Sequence, residues 1–147
     1  MALPTFKKPT DKRSRNMRAI HSFGNKSTEK RLASLLRKYR IQGWRLHPRE
    51  IVGRPDFVIR EKSVVVFVDG CFFHGCSYCG HIPRTNRAYW TEKIARNKIR
   101  DRAISRTLRD MGYLVIRIRE CQLRIRPDRC LARITRALKS GMLPPSP

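Results

Sequence analysis

Residues 53–76 read GRPDFVIREKSVVVFVDGCFFHGC. Two β-rich runs, 57–60 (FVIR) and 64–68 (VVVFV), flank the three-residue turn EKS, which predicts a β-hairpin. Pairing 57–60 with 64–67 sets Asp56 opposite Val68. The Asp56 carboxylate then lies beside Val68, Asp69, Gly70 and His74.

The flanking sequence turns this hairpin into an α/β pattern. From Ser27 the chain reads as a helix with Leu32, Leu35, Leu36 and Tyr39 repeating at three and four. Ser27 or Thr28 can cap it, Glu29 sits in its first turn and Gly43 closes it. Residues 44–60 are extended pieces broken by VGRPD. Residues 85–111 predict a long helix carrying Trp90, Ile94, Ile99, Ala103, Leu108 and Met111 inward, ended by Gly112. Residues 113–120 (YLVIRIRE) alternate as a strand, and Pro127 with Asp128 opens a last helix with Leu131, Ile134 and Leu138 on one face. The order αβββαβα leaves room for one βαβ crossover from Val64 to Ile118. Parallel strands end at the same edge, so Cys121 should arrive near Cys71.

Lys and Arg number 34 against 11 Asp and Glu, a formal charge of +23 over 147 residues. Such an excess calls for a polyanion, most simply nucleic acid. No apolar run approaches the length of a spanning helix. The basic N-terminus lacks the apolar stretch of a secretory signal, so a cytoplasmic address is expected, with cysteines binding metal or staying free. Six of residues 1–20 are Lys or Arg and one is acidic. That stretch reads as a disordered tail or a basic arm that orders on DNA, the arm being favoured from Lys12 onward.

Cys76 and Cys79 form a C-x2-C knuckle, with Cys71 upstream and Cys121 arriving from the crossover. Four thiolates are a standard closed set for structural zinc. His81 could replace one of them, and Cys130 reads as a core residue of the last helix. Asp56, at the mouth of a strand facing DNA, must hold a cation or repel phosphate, and Mg²⁺ is the hard cation for that place. Taken alone, it reads better as a strand-capping acid paired with an arginine; His74 nearby changes that balance. A neutral His74 nearby could take a proton from water, which makes a workable phosphodiester hydrolase; as a lesser alternative, it is a zinc ligand.

The motifs GRPDFVI, VFVDGCFFHGC, TNRAYWTEKIARNKIRDR and REC, with RSRNMRAI and TEKRLASLL, occur in order. Together they resemble the very-short-patch repair DNA mismatch endonucleases over about residues 11–136. The resemblance implies a restriction-endonuclease-like fold of the PD-(D/E)xK superfamily: a mixed sheet flanked by helices, with a structural zinc. It implies Mg²⁺-dependent nicking of one strand beside the T of T:G mismatches left by deaminated 5-methylcytosine. By position, Asp56 matches a metal-binding aspartate, His74 the water-activating histidine and Glu29 an assisting acid. Val68 replaces the second acid of the wider fold, so only its backbone carbonyl could bind metal. Cys71, Cys76, Cys79 and Cys121 match the zinc set. Phe72, Phe73 and Trp90 match aromatics that wedge into the base stack, with Phe73 standing for a common tryptophan. Asp69 stands where some members have histidine, and its role stays open.

The expected organisation is a basic arm at 1–20, contacting the DNA backbone through Lys12, Arg13, Arg15 and Arg18, an endonuclease domain at 21–140 and a tail at 141–147. A monomer acting on mismatched duplex is expected, with mismatch-repair proteins as candidate partners. Two rivals remain: a restriction-type enzyme cutting matched sites, and a zinc-containing DNA-binding protein without catalysis.

Overall fold

The computed structural model describes residues 10–12 and 26–141. The elements are α1 (Lys26–Lys38), β1 (Trp44–Leu46), β2 (Phe57–Ile59), β3 (Val64–Asp69), α2 (Arg87–Asp110), β4 (Leu114–Arg119), α3 (Glu120–Ile125) and α4 (Pro127–Ser140). The strands form one mixed sheet in the order β1-β2-β3-β4, antiparallel except for the parallel β3–β4 pair. Arg13, Arg15 and Arg18 of the expected arm lie outside the described residues, while Lys12 is exposed.

Side chains alternate across the strands, so the sheet has two covered faces. Phe57, Ile59, Val64, Val66, Ile116 and Ile118 pack against Leu32 and Leu36 of α1, Leu123 of α3, and Cys130, Leu131 and Ile134 of α4. On the other face Val58, Val65 and Phe67 meet Leu108 of α2. Fully burying one such side chain is worth about 1.5–3 kcal/mol. The exposed ion pairs of Glu50 with Arg45 and Arg60 belong to a class worth roughly 0–1 kcal/mol each. Apolar burial holds this fold.

Several expectations need correction. The hairpin pairs Phe57 with Val66 and Ile59 with Val64, one residue out of the predicted register. Arg60 leaves the strand for a 3-10 turn, Arg60–Lys62, closed by Ser63 at φ 50°. A four-residue loop replaces the predicted three. Tyr39, expected on the buried face of α1, lies past the end of the helix and is 57% exposed. On α2, Ile99 and Ala103 face solvent, as does Met111 just past its end, while Trp90, Ile94, Ser105 and Leu108 are buried. The inward stripe passes through Asn97, Asp101 and Ser105, three polar residues that an apolar-periodicity reading skips. The short helix α3 was also unforeseen; Gln122 Oε1 accepts the Arg119 amide at its start, 3.0 Å away.

Candidate active site

Asp56 sits just before β2. Its amide donates to Val66 O (3.0 Å), and its Oδ2 accepts the Val68 amide at 2.6 Å. Asp56 thus meets Val68 as expected, although through a side-chain bond to the amide rather than through the foreseen register. Glu29, in the first turn of α1, is 8% exposed. Its Oε2 lies 2.8 Å from His47 Nε2, and its Oε1 is buried without a hydrogen-bond partner. Ligand atoms of Glu29, His47 and Asp56 all fall within 4.8 Å of one another.

Sequence reasoning missed His47. The antiparallel register of Trp44–Leu46 on Phe57–Ile59, continued one rung, sets it opposite Asp56, and its amide donates to Asp56 O at 3.0 Å. Its φ of 49° is left-handed, unusual for a residue before proline. A buried acid with an idle oxygen, a second acid and an imidazole form a donor set suited to a divalent cation.

Burial above all pushes the Asp56 carboxyl up to about 7; the Val68 amide opposes this, and the nearby Glu29 adds to it. The folded state therefore holds this proton more tightly than the unfolded chain. Below the ordinary value near 4 both states are protonated and the site costs nothing. Between about 4 and about 7 the unfolded chain ionises first, so stability declines as pH rises, and the loss is complete above 7. Without divalent cation the protein should be less stable at pH 8 than at pH 5, with this carboxyl contributing on the order of a few kcal/mol. Urea unfolding at both pH values checks this. Asp56→Asn should flatten the difference, and an undiminished difference in that variant would refute the assignment.

His74 is not a member of that trio. Its Nδ1 lies 2.6 Å from Asp101 Oδ2 and 3.7 Å from Asp69 Oδ1, on the α2 face of the sheet. Burial opposes ionisation of Asp101, but His74 and Arg117 outweigh it and hold the carboxyl below the usual carboxylate range. An ionised carboxylate can only accept, so His74 Nδ1 carries the proton shared with Asp101.

The loop bearing His74 is fixed from several sides. Asn97 Nδ2 donates to Phe73 O at 2.9 Å. Gly75 has φ +57°, and a Cβ there would come within 2.5 Å of Ile94 Cγ2 and 2.6 Å of Lys98 Cε. Phe72 and Phe73 stand edge to face with centroids 5.0 Å apart, and Phe72 is also 5.0 Å from Trp90. Trp90 is buried, 5% exposed, beneath the two half-buried phenylalanines.

The Sγ atoms of Cys71, Cys76, Cys79 and Cys121 all lie within 4.8 Å of one another. Cys76 Sγ is 3.7 Å from Cys121 Sγ, and the Cys121 amide donates to Cys71 Sγ at 3.4 Å. The predicted meeting of Cys121 with Cys71 is therefore realised. Burial works against the Cys76 thiolate, yet the amides of Cys79 and Tyr78 and the neighbouring thiols hold the group down to about 6. Burial pushes Cys71 well above the usual thiol range. Metal ligation needs thiolates, and four converging sulfurs, one readily ionised, fit a metal. His81 is exposed and outside the cluster, and Cys130 is a buried core residue.

Two carboxylates and an imidazole at one strand mouth, a His–Asp pair on the α2 face of the same sheet and a large positive charge are the equipment of a nuclease. A family model described as DNA mismatch endonuclease Vsr matches residues 6–79. The chain is 42% identical over 114 residues to DNA mismatch endonuclease Vsr of Escherichia coli strain K12, covering 76% of this chain and 71% of that relative. It is 38% identical to the type II nicking enzyme V.NmeAIP of Neisseria meningitidis serogroup A, covering 88% and 91%. To the type II nicking enzyme V.NaeI of Lentzea aerocolonigenes it is 36% identical, covering 74% and 67%. The chain belongs to the Vsr DNA mismatch endonuclease family and is a DNA endonuclease. Among the described residues no helix is long and apolar enough to cross a membrane.

Proposed function

We propose that this endonuclease nicks one strand of duplex DNA beside the T of a T:G mismatch, acting as a monomer on a PD-(D/E)xK-type scaffold. The observation carrying this reading is the convergence of Glu29, His47 and Asp56 within 4.8 Å around an unpartnered buried oxygen. Mg²⁺ suits the two carboxylates and the Val68 carbonyl; when bound it would neutralise phosphate charge at the scissile bond. His74 takes a proton from the attacking water at Nε2, while Asp101 holds Nδ1 and with it the ring. The attacking oxygen forms the new bond to phosphorus, and the strand oxygen opposite departs. Zn²⁺ fits the four thiols and would brace the loop that carries His74 and the two phenylalanines. Lys12, Arg13, Arg15 and Arg18 serve as backbone contacts, their positive charge matching phosphate.

Phe72 and Phe73 would enter the base step, with Trp90 as the support beneath them. Opening a step costs a few kcal/mol and least at a mispair, so ring insertion favours the mismatch. Each stacked ring is worth roughly 1–3 kcal/mol. Phe72→Ala, Phe73→Ala and Trp90→Ala should therefore lower both the rate and the T:G over T:A preference, with residual nicking still dependent on Mg²⁺. Single-turnover cleavage of both duplexes checks this, and unchanged preference in all three variants would return the rings to the core.

Relatives named as nicking enzymes favour a single-strand cut over a restriction-type double cut. The deciding experiment is Mg²⁺-dependent cleavage of T:G and T:A duplexes, resolved strand by strand. Cleavage of both strands, or equal cutting of matched duplex, would overturn the proposal.

A further inference from the structure

Beneath His74 lies a group of charges whose arrangement depends on one arginine. Alternation along β3 and β4 points Phe67, Asp69 and Arg117 toward α2, which contributes Asp101 and Ser105. Arg117 Nε is 2.8 Å from Asp69 Oδ2 and its Nη2 is 2.9 Å from Asp69 Oδ1, a bidentate pair. The same Nη2 lies 3.3 Å from Asp101 Oδ1, and Nη1 donates to Ser105 Oγ at 3.3 Å. The guanidinium also stacks over the Phe67 ring, 4.3 Å from its centroid. Asp69 is 8% exposed, so its charge is answered here by Arg117 and little by water.

We infer that Arg117 is a positioning residue for His74: by engaging both oxygens of Asp69, it leaves Asp101 as the carboxylate that accepts the hydrogen bond from His74 Nδ1. Two carboxylates lie within reach of that one N–H, at 2.6 Å and 3.7 Å. Each ionised carboxylate has several lone pairs seeking donors. The planar fork of arginine satisfies Asp69 along both oxygens and screens it from Asp101. Without the fork, Asp69 turns to the nearest remaining donor, which is His74. The ring is then pulled off its line and Nε2 no longer addresses the same point. Lysine, a point charge, cannot span both Asp69 oxygens, Asp101 and Ser105 together. The catalytic consequence rests on the reading of His74 as the base; the choice of carboxylate does not.

The test uses the full chain with duplex DNA and three readouts: single-turnover nicking at saturating duplex, duplex affinity, and the nitrogen-bound proton of His74 Nδ1 by NMR. Arg117→Met should nick about a hundredfold slower, the scale of a misplaced catalytic group, with affinity little changed and the His74 proton signal shifted or lost. Arg117→Lys, which keeps the buried charge and serves where Arg117→Met does not fold, should fail to restore either readout. Asp69→Asn combined with Arg117→Met should recover much of the rate, because the competing carboxylate is gone. His74→Ala is the control for the base reading. A full rate there sinks that reading by itself, and the Nδ1 signal alone then decides the role of Arg117. With His74→Ala slow as expected, an unchanged rate or an unchanged signal in the folded Arg117 variants overturns the inference.

Discussion

Asp56→Ala is expected to abolish nicking while duplex affinity holds or rises slightly. The substitution removes one of two carboxylates from the proposed cation site and leaves the basic surface intact. Metal-assisted charge stabilisation is worth several kcal/mol, and each 1.36 kcal/mol is tenfold in rate. A loss of about a thousandfold or more follows. Affinity should not fall, since a carboxylate beside phosphate repels it. Single-turnover nicking in Mg²⁺ alongside fluorescence anisotropy separates the two effects. Turnover near that of the unsubstituted chain would move the cation site elsewhere.

Cys121→Ser is expected to lose metal and stability together. The thiol is 4% exposed and 3.7 Å from Cys76 Sγ, and it joins α3 to the loop after β3. Structural zinc sites contribute on the order of 10 kcal/mol to folding, comparable to the whole stability of a domain. The unsubstituted protein should carry one zinc per chain by metal analysis, while Cys121→Ser should melt early and hold little. Cys130→Ser is the contrast: that thiol is buried among Leu131 and Ile134, and its loss should cost packing and leave the metal in place. Protein prepared reduced and found free of zinc would reject the assignment, as would full zinc in Cys121→Ser.

The hairpin and crossover were legible because apolar runs, turn residues and helix breakers agreed with one another. That agreement sufficed to bring Cys121 to Cys71, while Asp56 reaches Val68 through a side-chain bond instead of the foreseen register. The one-residue slip escaped because Ser63 adopts a left-handed φ of 50°, a conformation that EKS does not announce. His47 escaped because β1 is three residues long, too short for an alternation pattern to fix its pairing. Asp101, Ser105 and Arg117 escaped for another reason. They are polar residues pointing inward at one another, and hydrophobic periodicity assigns such positions to solvent. Ile99 and Met111 were drawn inward by the same error.

The Asp69–Arg117 pair also constrains how this protein can change. Replacing Arg117 first strands the buried Asp69 carboxylate, at a cost of roughly 3–5 kcal/mol, which is a large share of the stability of an ordinary domain; replacing Asp69 first leaves Arg117 paired with Asp101 at 3.3 Å. Replacing both by uncharged residues of similar volume can be close to neutral. The two positions lie 48 residues apart along the chain, so exchange takes two separate steps, and the order of those steps decides the cost. Lineages carrying this pair should therefore lose Asp69 before Arg117, and a library varying one position at a time would find Arg117 the less tolerant of the two sites.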